Sequence, residues 1–287
     1  MSGVASPLQP SLLQDFALPL LQRLSVLTAA GHRPLMALNG PVGAGKSTLV
    51  RCLRELAPAA GLQLAVASID DAYLPWQERR QAMAGNPFGV NRVPPGSHDT
   101  ALLLERLRQW KAGGPLVLPR FDKTLRHGEG DRCGEESLQA DAVVLEGWLL
   151  GCRSLGAALD PSSAPGALSA EERAWLPHWD RALAAYAPLG DPELGLVDGL
   201  WVLRPADWSL PLRWRLQAEA RQRRAHGGAG GAGALSAAAV AAMVRATLAS
   251  LPPPLYQDPL CQTADAVAVI DSRRRCIRHE LRRKDSG

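Results

Sequence analysis

The sequence predicts an α/β protein, with a doubly wound, mainly parallel sheet, helices on both faces and a helical lid. Three observations carry this expectation. Residues 35–56 run from an apolar stretch through a glycine-rich turn into an amphipathic helix. Further short apolar runs alternate with stretches of helical leucine spacing. Nearly every apolar run ends in a charged residue, as strands do when an open parallel sheet gathers its ligands along one edge.

Residues 11–29 space their leucines as one or two amphipathic helices, inside an N-terminal helical segment 1–33. Residues 35–38 make the first strand. Gly40-Pro41-Val42-Gly43-Ala44-Gly45-Lys46-Ser47-Thr48 follows and fits G-x-x-x-x-G-K-[ST] in the strand–turn–helix setting that pattern needs. Its glycines let several N–H groups converge on a nucleotide phosphate at a helix N-terminus. Lys46 is expected to reach the β- and γ-phosphates of ATP, and the Ser47 hydroxyl to hold Mg²⁺. Only four of the 32 basic residues are lysines, which makes Lys46 more telling. A compact ammonium fits beside a phosphate chain where a planar guanidinium does not.

A second strand, 62–69, ends in Asp70-Asp71. Neighbouring carboxylates on a strand edge point to opposite faces, so one of them faces the site. Asp70 is the expected base for the acceptor hydroxyl, and also a possible metal ligand; a turn-forming aspartate pair is the plain alternative. Residues 101–111 read as a helix capped by Asp99 or Thr100. Residues 115–119 read as a short strand, and 141–145 as a buried parallel strand ending in Glu146. An acid there can hold Mg²⁺ directly or through water. Residues 200–203 are the next strand. Arg213 and Arg215 open the following helix, where arginines over a nucleotide stabilise charge on the transferred phosphoryl group; a solvated helix face is the plain alternative.

Two polar segments supply candidate substrate ligands. Residues 91–99 are turn-rich and carry Arg92, His98 and Asp99; residues 121–132 carry Lys123 and Arg132. A cation there suits an anionic substrate carboxylate. Residues 152–170 read as a surface insertion, 212–250 as a lid and C-terminal helical region, and 227–233 as mobile. The basic run 272–287 reads as a solvated helix end. The whole chain, 1–287, reads as a single kinase domain.

Composition narrows the class. Net charge is only +4, and no nucleic-acid signature accompanies the basic tail. No apolar run has the length of a membrane span, and no positive charge precedes Arg23, as a signal or transit peptide would require. Five scattered cysteines without C-x-x-C spacing fit a reduced compartment. A cytoplasmic protein without nucleic-acid or membrane partners is the expectation; the sequence leaves its oligomeric state open.

Several segments in order resemble one family: the 40–48 loop, Ser68-Ile-Asp70-Asp-Ala-Tyr73-Leu-Pro, Pro95-Gly-Ser-His98-Asp99, Pro119-Arg-Phe-Asp-Lys123, Gly130-Asp-Arg132, Glu146-Gly-Trp148 and Arg213-Trp-Arg215-Leu-Gln-Ala-Glu219. They resemble D-glycerate 3-kinase of the plant and yeast type, related to uridine kinase, pantothenate kinase and phosphoribulokinase. The chain departs from that pattern at Ala72, where Phe is usual, and at Ser97, where Thr is usual. The resemblance implies a P-loop fold and ATP-dependent phosphorylation of D-glycerate to 3-phosphoglycerate. It also implies Asp70 as base, Glu146 near the metal, and Arg213 and Arg215 at the start of the lid helix. By charge, Lys123, Arg132 and His98 are the candidates for the glycerate carboxylate. Two other readings stand beside it: the same fold with a nucleoside, pantothenate or another hydroxy acid as acceptor, and an ATP-dependent regulator with no small acceptor.

Overall fold

A computed structural model of the chain describes residues 8–164, 168–225 and 236–282. It opens with α1 (Pro10–Leu12), a π-helical turn (Leu13–Ala17) and α2 (Leu18–Ala29), followed by β1 (Leu35–Asn39), α3 (Lys46–Leu56) and β2 (Leu64–Ser68). Next come α4 (Trp76–Ala82), α5 (Thr100–Lys111), β3 (Leu116–Asp122), β4 (Asp131–Leu138), β5 (Ala142–Gly147) and α6 (Ala170–Leu183). The last elements are β6 (Gly199–Pro205), α7 (Leu210–Ala225), α8 (Ala237–Ser250), α9 (Pro253–Thr263), β7 (Ala266–Ile270) and β8 (Cys276–Leu281).

The main sheet has the order β2-β5-β1-β6-β7-β8. Its first five strands run parallel and β8 closes the edge antiparallel to β7. Strands covered on both faces must be apolar throughout, and every residue of β1 and of β7 is buried. One core packs Leu35, Val143, Leu145 and Trp110 on one face. Another packs Phe16, Leu20, Trp201 and Trp214 on the other. The N-terminal helices form part of this second core, since Phe16 meets the Trp201 ring edge-on at 5.0 Å.

Register matters most for the site. Ser68 of β2 and Leu38 of β1 both align with Glu146 of β5, and Asn39 aligns with Gly147. Three strands therefore end level, and whatever follows them shares one rim.

Three expectations change. The strand near 115–119 exists as β3 but lies outside the main sheet; it pairs only with β4 in an antiparallel hairpin. β4 carries no strand signal in the sequence, since most of its residues are exposed and polar, with no apolar alternation. Asp70 and Asp71 sit in a 3-10 turn (Ile69–Ala72), not on a strand edge, so alternation does not decide between them. The basic run near the C-terminus is not a helix end: residues 276–281 form β8, whose backbone pairs with the otherwise open edge of β7. The stretch 227–233 lies outside the described residues.

Residues 152–164 are held to the body by Asp180, which accepts from Ser154 Oγ and from the Leu155 and Gly156 backbone. Among the described residues no single helix is long and apolar enough to cross a membrane. α8 and α9 reach that apolar length only jointly, across a 65° bend.

Candidate active site

The phosphate loop bridges β1 and α3. Gly45, at φ +101°, is the N-cap of α3, and its left-handed backbone is one that β-carbon sterics deny to most residues. Gly43 has φ +78°, and a methyl group there would come within 2.8 Å of Trp214 Cβ. Lys46 donates from Nζ to Gly40 O at 2.8 Å, curling back over its own loop. Ser47 is exposed in the first turn of α3, while Pro41 and Ala44 are buried beneath and Val42 and Thr48 are half-buried.

From Lys46 a polar chain crosses the rim. Its ammonium lies 3.6 Å from Glu146 Oε2. Ser68 donates from Oγ to Glu146 Oε1 at 2.9 Å, and Ser68 Oγ itself accepts from the Asp70 backbone N–H at 3.3 Å. Asp70 Oδ2 accepts from Lys123 Nζ at 2.8 Å, and Oδ1 lies 3.9 Å from His98 Nε2. Burial pushes the Asp70 carboxyl up, but Lys123 and His98 together outweigh it and hold the group well below the usual carboxylate range. Asp71 behaves oppositely: burial raises it, and neither Arg120 nor Lys123 offsets that.

The acceptor side is built around Tyr73 and His98. The 95–99 segment is stitched to the end of the Asp70 turn, with Asp99 N–H donating to Ala72 O at 2.8 Å and Leu74 N–H to Ser97 O at 3.0 Å. The His98 ring stacks on Tyr73 at 4.2 Å, and its Nδ1 lies 2.9 Å from Tyr186 Oη. Burial lowers the His98 pKa below its ordinary value, and the neighbouring Asp70 only partly reverses this, so the ring is neutral at pH 7. On the acceptor side, His98 Nε2, Arg92 Nη1 and Arg79 Nε are buried without a hydrogen-bond partner among the described residues. Buried polar nitrogens of this kind are rarely left unpaired.

The other expected ligands are more committed. Asp99 Oδ1 caps α5 by accepting from Leu102 N–H, and Oδ2 accepts from Arg132 Nη2 at 3.0 Å. Arg132 also donates from Nε to Tyr73 O, so this pair shapes the loop. Arg215 is bound to the buried Glu219 one helical turn on, at 2.5 Å, while Arg213 is exposed on α7.

Residues that the sequence did not single out complete the frame. Arg79 is fully buried, donating to Leu74 O, Glu129 O and Gly130 O, with its guanidinium 4.9 Å from the Phe121 ring. Glu129 Oε2 accepts from Trp76 Nε1 and Asn91 Nδ2. Ser68 and Tyr186 join the polar chain. Their main partners lie far off in sequence: Glu146 for Ser68, His98 for Tyr186, and Glu129 and Gly130 for Arg79.

The donor set suits a small hard cation. Ser47 and Glu146 offer oxygen ligands on the rim beside the phosphate loop, which is what Mg²⁺ takes. Asp70, the third expected ligand, pairs with Lys123 at 2.8 Å as Glu146 does with Lys46 at 3.6 Å.

No known family profile matches the sequence. The chloroplastic D-glycerate 3-kinase of Arabidopsis thaliana is 29% identical over 253 residues, covering 83% of this chain and 52% of that protein. The uncharacterized kinase mug58 of Schizosaccharomyces pombe is 30% identical over 211 residues, covering 69% of this chain and 74% of that protein. The chain belongs to the same kinase family as this fission-yeast protein, and it is similar to the plant D-glycerate 3-kinase. A D-glycerate 3-kinase structure from Cryptococcus neoformans superposes with a TM-score of 0.78 at 24% identity, covering 95% of this chain and all of that one. That likeness shows a shared fold. The chain spans about half the length of the plant relative.

Proposed function

We propose that the protein transfers the γ-phosphoryl group of ATP directly to a hydroxyl of D-glycerate, giving 3-phospho-D-glycerate. The observation that carries this reading is the continuous polar chain from Lys46 through Glu146 and Ser68 to Asp70 and Lys123. It joins a phosphate cradle to a carboxylate base and a cation on one rim. The relatives' names supply the acceptor.

In this reading the N–H groups of residues 40–48 bind the nucleotide phosphates and Lys46 follows the transferred group. Ser47 and Glu146 would hold Mg²⁺, which when bound neutralises charge on the β- and γ-phosphate oxygens. Asp70 orients the acceptor hydroxyl and takes its proton. Lys123, Arg92 and His98 receive the glycerate carboxylate and hydroxyls, while Asp99 and Arg132 hold the loop that presents them. Arg213 and Arg215 serve the transferred phosphoryl group from α7, Arg215 after exchanging Glu219 for phosphate oxygen.

The ion pair between Lys123 and Asp70 adds chemistry. A carboxylate substrate competes for Lys123, and loosening that pair raises the basicity of Asp70 when the acceptor arrives. A carboxylate at the acceptor thus activates its own base, which favours a hydroxy acid over a nucleoside. Five free cysteines fit the reduced setting of a cytoplasmic enzyme.

The test is ADP release with Mg²⁺ across D-glycerate, L-glycerate, uridine, pantothenate and ribulose 5-phosphate. Stimulation by D-glycerate above the others supports the reading. Stimulation by uridine instead keeps the kinase and overturns the acceptor.

A further inference from the structure

The basic run near the C-terminus is absorbed by none of the roles above, yet its turn reaches the phosphate loop. Between β7 and β8, Asp271 organises a tight turn: its Oδ1 accepts from the Arg273 and Arg275 backbone N–H groups, and its Oδ2 from Arg275 Nε. At the tip Arg274 adopts φ +62°. An arginine gains nothing locally from a left-handed backbone, and strain of this sort persists where the surroundings impose it.

What the conformation achieves is contact. Arg274 donates from Nε to Gly43 O at 2.7 Å, across 231 residues of sequence. Its guanidinium lies 5.2 Å from the Trp214 ring of α7, within cation–π range. Trp214 Nε1 in turn donates to Ser272 O at 2.9 Å, tying the turn to the helix from the other side. The position of Gly43 against Trp214, and a Gly45 whose added methyl would meet Arg274 Cδ at 3.4 Å, show how closely loop, helix and turn meet. Among the described residues no carboxylate pairs with Arg274, and its charged neighbour is another cation, Arg221.

A loop that aims its N–H groups inward at a phosphate turns carbonyls outward, and each outward carbonyl needs a donor. Lys46 serves Gly40, and Arg274 serves Gly43. We infer that Arg274 is a positioning residue of the nucleotide site: it fixes the crown of the phosphate loop against Trp214 and adds positive charge behind it. The inference rests on the phosphate-loop reading and extends it to a residue far from the motif.

The experiment is calorimetric binding of ATP with Mg²⁺, alongside steady-state kinetics, for the wild type, Arg274→Gly and Arg274→Lys. Glycine accepts the backbone at φ +62° without strain, so Arg274→Gly removes the side chain while sparing the turn. Arg274→Gly is expected to weaken ATP binding about tenfold or more, the loss of one hydrogen bond from a charged donor. Its KM for the acceptor and its melting temperature should stay at the wild-type values, and Arg274→Lys should recover part of the ATP affinity. If Arg274→Gly does not fold, Arg274→Asn carries the same comparison, since asparagine tolerates this backbone and is too short to reach Gly43. Unchanged ATP affinity, or equal losses for ATP and acceptor with a fallen melting temperature, overturns the inference alone. A wild type that binds no nucleoside triphosphate overturns the phosphate-loop reading and the inference with it.

Discussion

Asp70 and Asp71 are neighbours with opposite surroundings, and the difference assigns their roles. Asp70 meets Lys123 and His98 and stays ionised, whereas burial raises Asp71, which no cation comparably compensates. Asp70→Asn should therefore lower kcat about 10²-fold or more with KM for ATP nearly kept, and Asp71→Asn should cost far less. Steady-state kinetics of the two variants decide this, and a larger loss in Asp71→Asn would reverse the assignment. His98 makes a pH prediction. Its pKa lies below 6.5 in the folded chain, so below about pH 6.5 the unfolded chain binds the extra proton more readily, and stability falls with pH through that window. The slope from this one group is at most about 1.4 kcal/mol per pH unit. Asp70, whose pKa is also depressed, adds its loss only below pH 3.8. Urea unfolding from pH 7.5 to 5 should show His98→Gln flatter than wild type; parallel curves would mean that His98 titrates in the native state much as it does unfolded.

At the scale of elements, the acceptor side depends on one buried cation. Arg79 on α4 holds three carbonyls of two separate segments, the end of the Asp70 turn and the 129–130 loop. Replacing it by methionine keeps most of the volume but leaves those carbonyls without their donor. We expect Arg79→Met to lower stability by about 3 kcal/mol or more, read from denaturant midpoints, and to raise KM for the acceptor more than KM for ATP. Equal effects on both constants would detach Arg79 from the acceptor side. The same elements explain what could be read from sequence. The phosphate loop, the strand ending at Glu146 and the capped helix at Asp99 are local signals, complete within a few residues. Strands β4 and β8 were hidden because their mostly exposed residues follow no apolar alternation. Ser68 and Tyr186 were hidden for another reason: their partners, Glu146 and His98, lie 78 and 88 residues away.

Across the whole molecule, the level ends of β1, β2 and β5 turn a sheet into a site. Side chains from the phosphate loop, the Asp70 turn, the β3–β4 hairpin and the 95–99 segment meet only because three strands stop in register. The sequence carried the doubly wound class and most of the rim. The depth of burial around His98 and the buried Arg79 came only with tertiary packing. Identifying the phosphorylated product tests the proposal that this rim moves a phosphoryl group from ATP to glycerate. Purified protein with ATP, Mg²⁺ and D-glycerate should yield ADP and 3-phospho-D-glycerate in equal amounts, with the phosphate on C3 by NMR, and Lys46→Ala should yield neither while melting as the wild type does. ADP formed at the same rate without D-glycerate, or no phosphorylated glycerate at all, would contradict the account.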